Sequence, residues 1–218
     1  MNVVVVDNRS PLHSQHPVAQ QKHSMTTQLI ETLSRTPQVQ LNVVKTVEGI
    51  CKINFDRVDM LFLSGSAMRV TYPHDVPASR TAIVATTWAL ANNVAIVGVC
   101  YGAQLVTWMM GGTVSSKPGD TKPYQHNTTF GCMYFNHTDA ITKAPPGFKI
   151  LSQHPRWGYI LTLVNSKKQV VLTQWHPEGT EDGQRFLSNL LATQLNKKFL
   201  DNKHVSETAP GQGKAREQ

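Results

Sequence analysis

Short runs of branched apolar residues alternate along this chain with longer stretches whose apolar positions recur at helical spacing. Residues 2–6 open it as Asn2-Val3-Val4-Val5-Val6, an unbroken run of the kind a strand buried on both faces requires. Residues 24–35 carry Met25, Leu29 and Leu33 on one helical stripe, with Ser24 placed to cap that helix. Residues 39–44 and 58–63 predict a second and a third strand, the latter closing in Ser64-Gly65-Ser66. A helix over 78–91 follows, then a fourth strand over 94–99. A helix over 101–110 comes next, ended by Gly111-Gly112 in the manner of a C-cap.

The second half has a different texture. Residues 128–136, 149–153, 159–164 and 169–175 predict short strands, read as antiparallel. Phe186, Leu190 and Leu191 sit at helical spacing in a last helix over 180–197. From about residue 200 the apolar period is lost, and Pro210-Gly211-Gln212-Gly213 lies in a polar stretch. The expected organisation is a globular domain over 1–198 and a disordered tail over 199–218. No internal repeat is visible. The strand–helix rhythm of the first half argues for an α/β fold of flavodoxin-like, doubly wound type. Its sheet is mostly parallel, with a small antiparallel sheet from the second half. In such folds ligands bind beyond the carboxyl ends of the strands, where Cys100 and the Ser64-Gly65-Ser66 turn both fall.

Composition narrows the picture. The chain has 218 residues, 40% hydrophobic and 16% charged, which suits a single soluble α/β domain. No apolar stretch is long enough to cross a membrane, and the chain opens directly on a strand rather than on a secretory leader, so a cytoplasmic protein is expected. Three cysteines, Cys51, Cys100 and Cys132, make an odd number without metal-like spacing. They predict neither a disulfide framework nor a metal site, and Cys51 and Cys132 read as ordinary small apolar residues. His13, His16, His23, His74, His126, His154 and His204 lack ligand spacing and read as surface or loop residues. The net charge of +7 is spread along the sequence and thickened in the tail. Without a basic block interleaved with aromatics, nucleic acid is not an expected partner; an acidic protein or a phosphorylated metabolite accounts for the charge equally well.

The chemistry is concentrated in two segments. Gly98-Val99-Cys100-Tyr101-Gly102-Ala103-Gln104 places a cysteine between small residues at a strand-to-helix turn, the thiol counterpart of a nucleophile elbow. The N-terminus of the following helix favours the thiolate, the reactive form. Gln174-Trp175-His176-Pro177-Glu178 supplies a histidine and, two residues on, a carboxylate able to orient it. Trp175 reads as packing.

At these residues the chain resembles the class I, triad-type glutamine amidotransferases, whose pattern is G-x-C-x-G-x-Q followed by H-P-E. Within that family it is most similar to the glutaminase domain or subunit of GMP synthase. Cys100-Tyr101-Gly102, the opening Val6-Asp7-Asn8 and Asn136-His137-Thr138-Asp139 carry this finer likeness, the last standing where the subfamily has S-H-G-D. The resemblance implies Cys100 as nucleophile, His176 as proton carrier and Glu178 as the group that orients it. It implies main-chain donors to an oxyanion from Tyr101 and from Gly65-Ser66, a substrate contact from Gln104, and Asn136, His137 and Asp139 near the substrate amino group and the synthetase interface. It further implies L-glutamine as substrate, no cofactor, and a synthetase partner that accepts ammonia. Two departures stand out. Gly65-Ser66-Ala67 replaces the usual Gly-Gly-Pro, so a turn that demands φ > 0 at its second position would strain Ser66. Lys117-Pro118-Gly119-Asp120 lacks the subfamily's Arg-Glu-Tyr. A γ-glutamyl hydrolase acting alone and an impaired binding scaffold remain as alternative readings.

Overall fold

Every second residue of the first strand faces the same layer of helices, and this alternation organises the molecule. In a computed structural model, residues 1–9, 17–46, 49–72, 75, 77–117 and 122–207 are described. Strands β1 (Asn2–Asp7), β2 (Gln40–Lys45), β3 (Met60–Leu63), β4 (Ala95–Val99) and β11 (Val170–Thr173) lie parallel in the order β2-β1-β3-β4-β11. Val4, Val6, Leu61, Leu63 and Ile96 point to one face. There they meet Ala82, Ala85 and Ala89 of helix α2 (Arg80–Ala91) and Leu105 of helix α3 (Tyr101–Met109). Val3, Val5, Met60, Phe62 and Val97 point to the other face, against Leu29 and Leu33 of helix α1 (Pro17–Ser34) and Leu187 and Leu191 of helix α4 (Glu181–Glu207). Burial on both faces is what the unbroken apolar runs required, and the fold is the expected mostly parallel, doubly wound α/β sheet.

The second half extends this sheet. Strands β10 (Ile160–Asn165), β8 (Asp139–Lys143) and β5 (Thr113–Ser116) continue it antiparallel beyond β11, and β9 (Lys149–Gln153) also pairs with β10. A separate ribbon joins β6 (Tyr124–Thr128) to β7 (Gly131–Phe135) and is the small antiparallel sheet. Met133, Phe135, Tyr159, Leu161 and Trp175 pack between ribbon and sheet, and the Trp175 indole N–H donates to Thr162 Oγ1 at 3.0 Å.

Several boundaries differ from the sequence reading. The strand expected over 128–136 begins only at Gly131, which holds φ +108° after the turn at 129–130, and it pairs in a hairpin with β6, a strand the sequence reading lacks. β11 is not purely antiparallel: it pairs antiparallel with β10 and parallel with β4, making it the seam between the two halves. α1 starts at Pro17, so Ser24 lies inside the helix and cannot cap it; proline is at home in a first helical turn. α4 runs on to Glu207 rather than stopping at 197. Of the tail expected over 199–218, residues 199–207 belong to α4 and residues 208–218 lie outside the described residues. None of the helices among the described residues is long and apolar enough to cross a membrane.

Candidate active site

β4 and β11 are parallel neighbours that end level, with Val99 paired to Thr173. The Cys100 N–H donates to the Thr173 carbonyl at 2.7 Å, so the next residues of both strands emerge at one sheet edge. The turn from β4 into α3 is tight. Cys100 holds φ +50° and ψ −105°, a backbone conformation that L-residues rarely adopt and that persists only where the surroundings impose it. Its neighbours explain why it persists. A Cβ on Gly102 would stand 2.3 Å from the Leu63 carbonyl oxygen, and one on Gly98 would stand 2.8 Å from the Ala103 nitrogen. Only glycine lets the helix pack this closely on β3 and β4. The Tyr101 side chain turns into the core and bonds Ser79, its phenol pushed up to about 12 chiefly by burial. Only the Tyr101 backbone therefore remains at the edge.

His176 and Glu178 follow β11 and are buried with Cys100. The His176 N–H donates to the Tyr134 carbonyl at 2.8 Å, which fixes the histidine's backbone to the ribbon. His176 Nδ1 lies 2.9 Å from Glu178 Oε1. With Nδ1 so engaged, Nε2 is the ring nitrogen left for the chemistry at Cys100, and it is buried without a hydrogen-bond partner among the described residues. Burial by itself would lower the imidazole's pKa, but Glu178 and Cys100 together outweigh it and hold His176 at about 10. Gly65 sits against both groups: a Cβ there would stand 2.9 Å from His176 Cε1 and 3.6 Å from Cys100 Cβ.

The segment after β3 covers this edge. The Asn8 N–H donates to Ser64 Oγ and the Asn8 amide to the Ser64 carbonyl, both at 2.9 Å. The Gly65 carbonyl accepts from Ser64 Oγ at 3.1 Å. Ser66 is buried and its Oγ accepts from the Met68 N–H at 3.1 Å. Ser66 is not among the described residues with positive φ, so the backbone strain expected of a serine at that turn does not arise. Beyond it, Arg69 reaches across to Asp139 at the start of β8. Arg69 Nε donates to both Asp139 oxygens at 3.0 and 3.1 Å, and Nη2 closes a further short contact on Oδ1. Thr71 Oγ1 donates to Asp139 Oδ2 at 2.7 Å, and Arg69 Nη1 donates to Tyr72 Oη at 2.6 Å. The carboxylate raises the Arg69 pKa still further against the opposing pull of burial. Beneath this clamp, Cys100, Ser66, Gln104, His137 and Asp139 enclose only about 10 Å3, space for one water molecule.

The remaining expected site residues also lie at this edge. The Asn136 carbonyl accepts from the Cys100 thiol at 3.7 Å. His137 Nδ1 donates to the Asp139 carbonyl at 2.8 Å, which fixes the proton on that nitrogen. Gln104 Nε2 donates to the same carbonyl at 2.7 Å and to Gln174 Oε1 at 3.3 Å. Gln104 thus braces the 136–139 turn from beneath. Arg69 and Gln174 escaped the sequence reading. Gln174 adjoins the histidine segment and lies 3.9 Å from the Cys100 sulfur, whereas no spacing marks Arg69. Cys51 is exposed and Cys132 half-buried. His154 lies in the loop joining β9 to β10, as expected, and is buried there within a stack of rings; His126, read as a surface or loop residue, lies in strand β6 instead.

Comparison with known proteins places this geometry in a class. The family model of class-I glutamine amidotransferases matches residues 19–193, and the chain belongs to that family. Similar curated proteins are named GMP synthase [glutamine-hydrolyzing]. That of Clostridium botulinum (strain Alaska E43 / Type E3) is 34% identical over 112 residues, 45% of this chain and 22% of that protein. That of Clostridium acetobutylicum is 27% identical over 178 residues, 75% of this chain and 33% of that protein. The chain therefore spans a third or less of these relatives' length. Among solved structures, a putative GMP synthase subunit from Thermoplasma acidophilum superposes with a TM-score of 0.69 at 18% identity. The match covers 93% of this chain and 98% of that one, and it establishes a shared fold.

Proposed function

We propose that this chain hydrolyses the side-chain amide of L-glutamine through Cys100, His176 and Glu178 and delivers the ammonia to a partner synthetase of the GMP-synthase kind. The observation that carries the reading is the convergence of these three buried groups at the level ends of β4 and β11, with His176 Nδ1 at 2.9 Å from Glu178. A histidine that keeps its proton to about pH 10 beside the sulfur favours a thiolate–imidazolium pair at neutral pH. The thiolate attacks the amide carbon, and the displaced oxygen takes the negative charge. Main-chain N–H groups of Tyr101 and of the Gly65-Ser66 turn are assigned to stabilise it. The C–N bond breaks as His176 gives its proton to the nitrogen, and ammonia leaves a γ-glutamyl thioester on Cys100. Water, deprotonated by His176, then releases glutamate. Asn136, His137 and Asp139 are buried beneath the cover, and we assign them to contact with the substrate's amino group once the cover opens, with the synthetase meeting the cover rather than these side chains. A reactive thiol of this kind suits a reducing compartment, and we place the reaction in the cytoplasm.

A space of about 10 Å3 cannot admit a glutamine side chain. Substrate entry therefore requires the Gly65–Tyr72 segment to lift and the Arg69–Asp139 pair to part. We infer that docking of the synthetase drives this opening. The test is glutamine hydrolysis by the purified chain beside Cys100→Ala, with mass spectrometry after 6-diazo-5-oxo-norleucine. Labelling at Cys100, with ammonia release alone or on adding a synthetase, is expected. A chain that neither labels nor turns over in either condition refutes the assignment.

A further inference from the structure

We propose that the cleft between the β6–β7 ribbon and the loop joining β9 to β10 binds a nucleoside phosphate, at a site separate from Cys100. The cleft encloses about 510 Å3, within the range of small-molecule sites. Tyr124 and His126 of β6 and His154 and Trp157 of the loop line it as one continuous cluster of rings, with Arg156 and Lys122 also in its lining. None of these residues lines the Cys100 cavity.

The walls are flat and aromatic. His126 stacks on His154 with centroids 5.2 Å apart and planes 18° apart, and His154 stacks on Trp157 at 4.5 Å and 28°. Tyr124 meets His154 edge-on at 6.3 Å. The loop is held in place before any ligand arrives. His154 Nδ1 accepts the N–H groups of Arg156 at 3.2 Å and Trp157 at 3.3 Å, and the His154 N–H donates to the Tyr159 carbonyl at 2.8 Å. Preorganisation of this kind lowers the entropic cost of binding.

Among the described residues, the charged side chains that line the cleft are all cationic. Lys122 and Arg156 are exposed at its edge, the Arg156 guanidinium lies 5.4 Å from the Trp157 ring, and Lys117 Nζ lies 4.8 Å from the Tyr124 ring. No acidic residue is among its described lining residues. Burial lowers the pKa of His154, and His126, Lys117 and Arg156 lower it further, so the stacked imidazole stays neutral in a positive field. Aromatic planes attract a base, and fixed cations attract a phosphate. A nucleoside phosphate satisfies both, whereas a free phosphate or an uncharged aromatic satisfies one. The cleft is a single recess flanked by the scattered charge of the rest of the chain, which favours a mononucleotide over a strand of nucleic acid.

Calorimetric titration of the full chain with AMP, GMP and UMP, beside adenosine, inorganic phosphate and a short single-stranded oligonucleotide, tests this. At least one mononucleotide should bind saturably, with adenosine and phosphate each about tenfold weaker or more. Trp157→Ala and Arg156→Ala should each weaken that binding by about tenfold. Arg156 and Lys122 are exposed, so Arg156→Ala and Lys122→Ala remain informative if Trp157→Ala does not fold. The absence of saturable mononucleotide binding, or affinity unchanged in Arg156→Ala and Lys122→Ala, overturns the proposal. Binding of the oligonucleotide alone also overturns it and assigns the cleft to nucleic acid. None of these readouts depends on glutamine hydrolysis, so the result stands whatever Cys100 does.

Discussion

The two sides of the Cys100 crevice are built from different materials. On one side, Cys100, His176 and Glu178 stand just past the ends of parallel strands whose main-chain bonds fix the positions from which they emerge, and glycine-only contacts lock the elbow onto β3. On the other side, residues 64–72 form no strand or α-helix, and side-chain bonds hold them, above all those between Arg69 and Asp139. Main-chain ladders are cooperative and break only when the sheet does, whereas a side-chain ion pair can exchange partners locally. The difference assigns chemistry to the rigid side and access to the covering side. It can be broken from either direction.

The largest effect belongs to the rigid side. Cys100→Ala is expected to reduce glutamine turnover by about 10^4-fold or more, since removal of a nucleophile is not compensated by the rest of its triad. Ammonia release near the parental rate in that variant would mean that the thiol is not the nucleophile. Glu178→Gln keeps the shape but loses the charge that orients and stabilises the His176 imidazolium. A drop in kcat of about 10^2- to 10^4-fold is expected, and parental kcat would detach Glu178 from the chemistry. Gly102→Ala tests the scaffold itself. Its Cβ would meet the Leu63 carbonyl at 2.3 Å, so helix and strand must separate, costing about 1–3 kcal/mol of stability. Urea unfolding measures this, and an unchanged midpoint would show that the elbow is looser than its contacts imply.

The same contrast governs what the sequence discloses. Strands β1, β3 and β4 announce themselves because burial on both faces forces unbroken apolar runs. Cys100, His176 and Glu178 announce themselves because an elbow needs small flanking residues and an imidazole needs a nearby carboxylate. β5 and β8 went unread because Thr113–Ser116 is polar and half-exposed and Asp139–Lys143 is buried only in its first half. β6 went unread because Tyr124–Thr128 is polar but for one aromatic residue and at most half-buried. Arg69 and Asp139 lie 70 residues apart and meet only because β8 is drawn to the sheet edge beyond β10. Their pairing is a consequence of topology with no local pattern to reveal it.

On the covering side the expected effect is on stability and access rather than on the chemical step. Arg69→Ala removes the clamp and leaves Asp139, buried at the start of β8, without its cation. Stability should fall by about 3 kcal/mol, the order observed when one partner of a buried pair is lost. Access should rise at the same time: alkylation of Cys100 by iodoacetamide should quicken while that of exposed Cys51 does not change. An unchanged Cys100 rate in a destabilised variant would make the pair a structural tie only. Arg69→Lys keeps the charge but not the two-oxygen contact of the guanidinium, and should fall between the two.

The subtlest test follows the proton that links the strands' ends. His176 is held at about 10, above its ordinary 6.5, so its charged form favours the folded state. This contribution is complete below pH 6.5 and disappears as pH rises through about 10. The urea midpoint should therefore decline across that interval, and His176→Gln should remove this part of the decline while leaving that due to lysines and tyrosines. Burial is the largest influence on His176 and acts downward, so the elevation depends on Glu178 and Cys100. Glu178→Gln should consequently move the imidazole titration, followed by NMR of the ring protons, to lower pH, and Cys100→Ala should move it in the same direction. Arg69→Ala, which alters the cover and neither charge beside the ring, should not move the titration to lower pH, since any opening only relieves the burial that acts downward. A titration that fell with Arg69→Ala and stood still with Cys100→Ala would reverse the division between the two sides of the crevice.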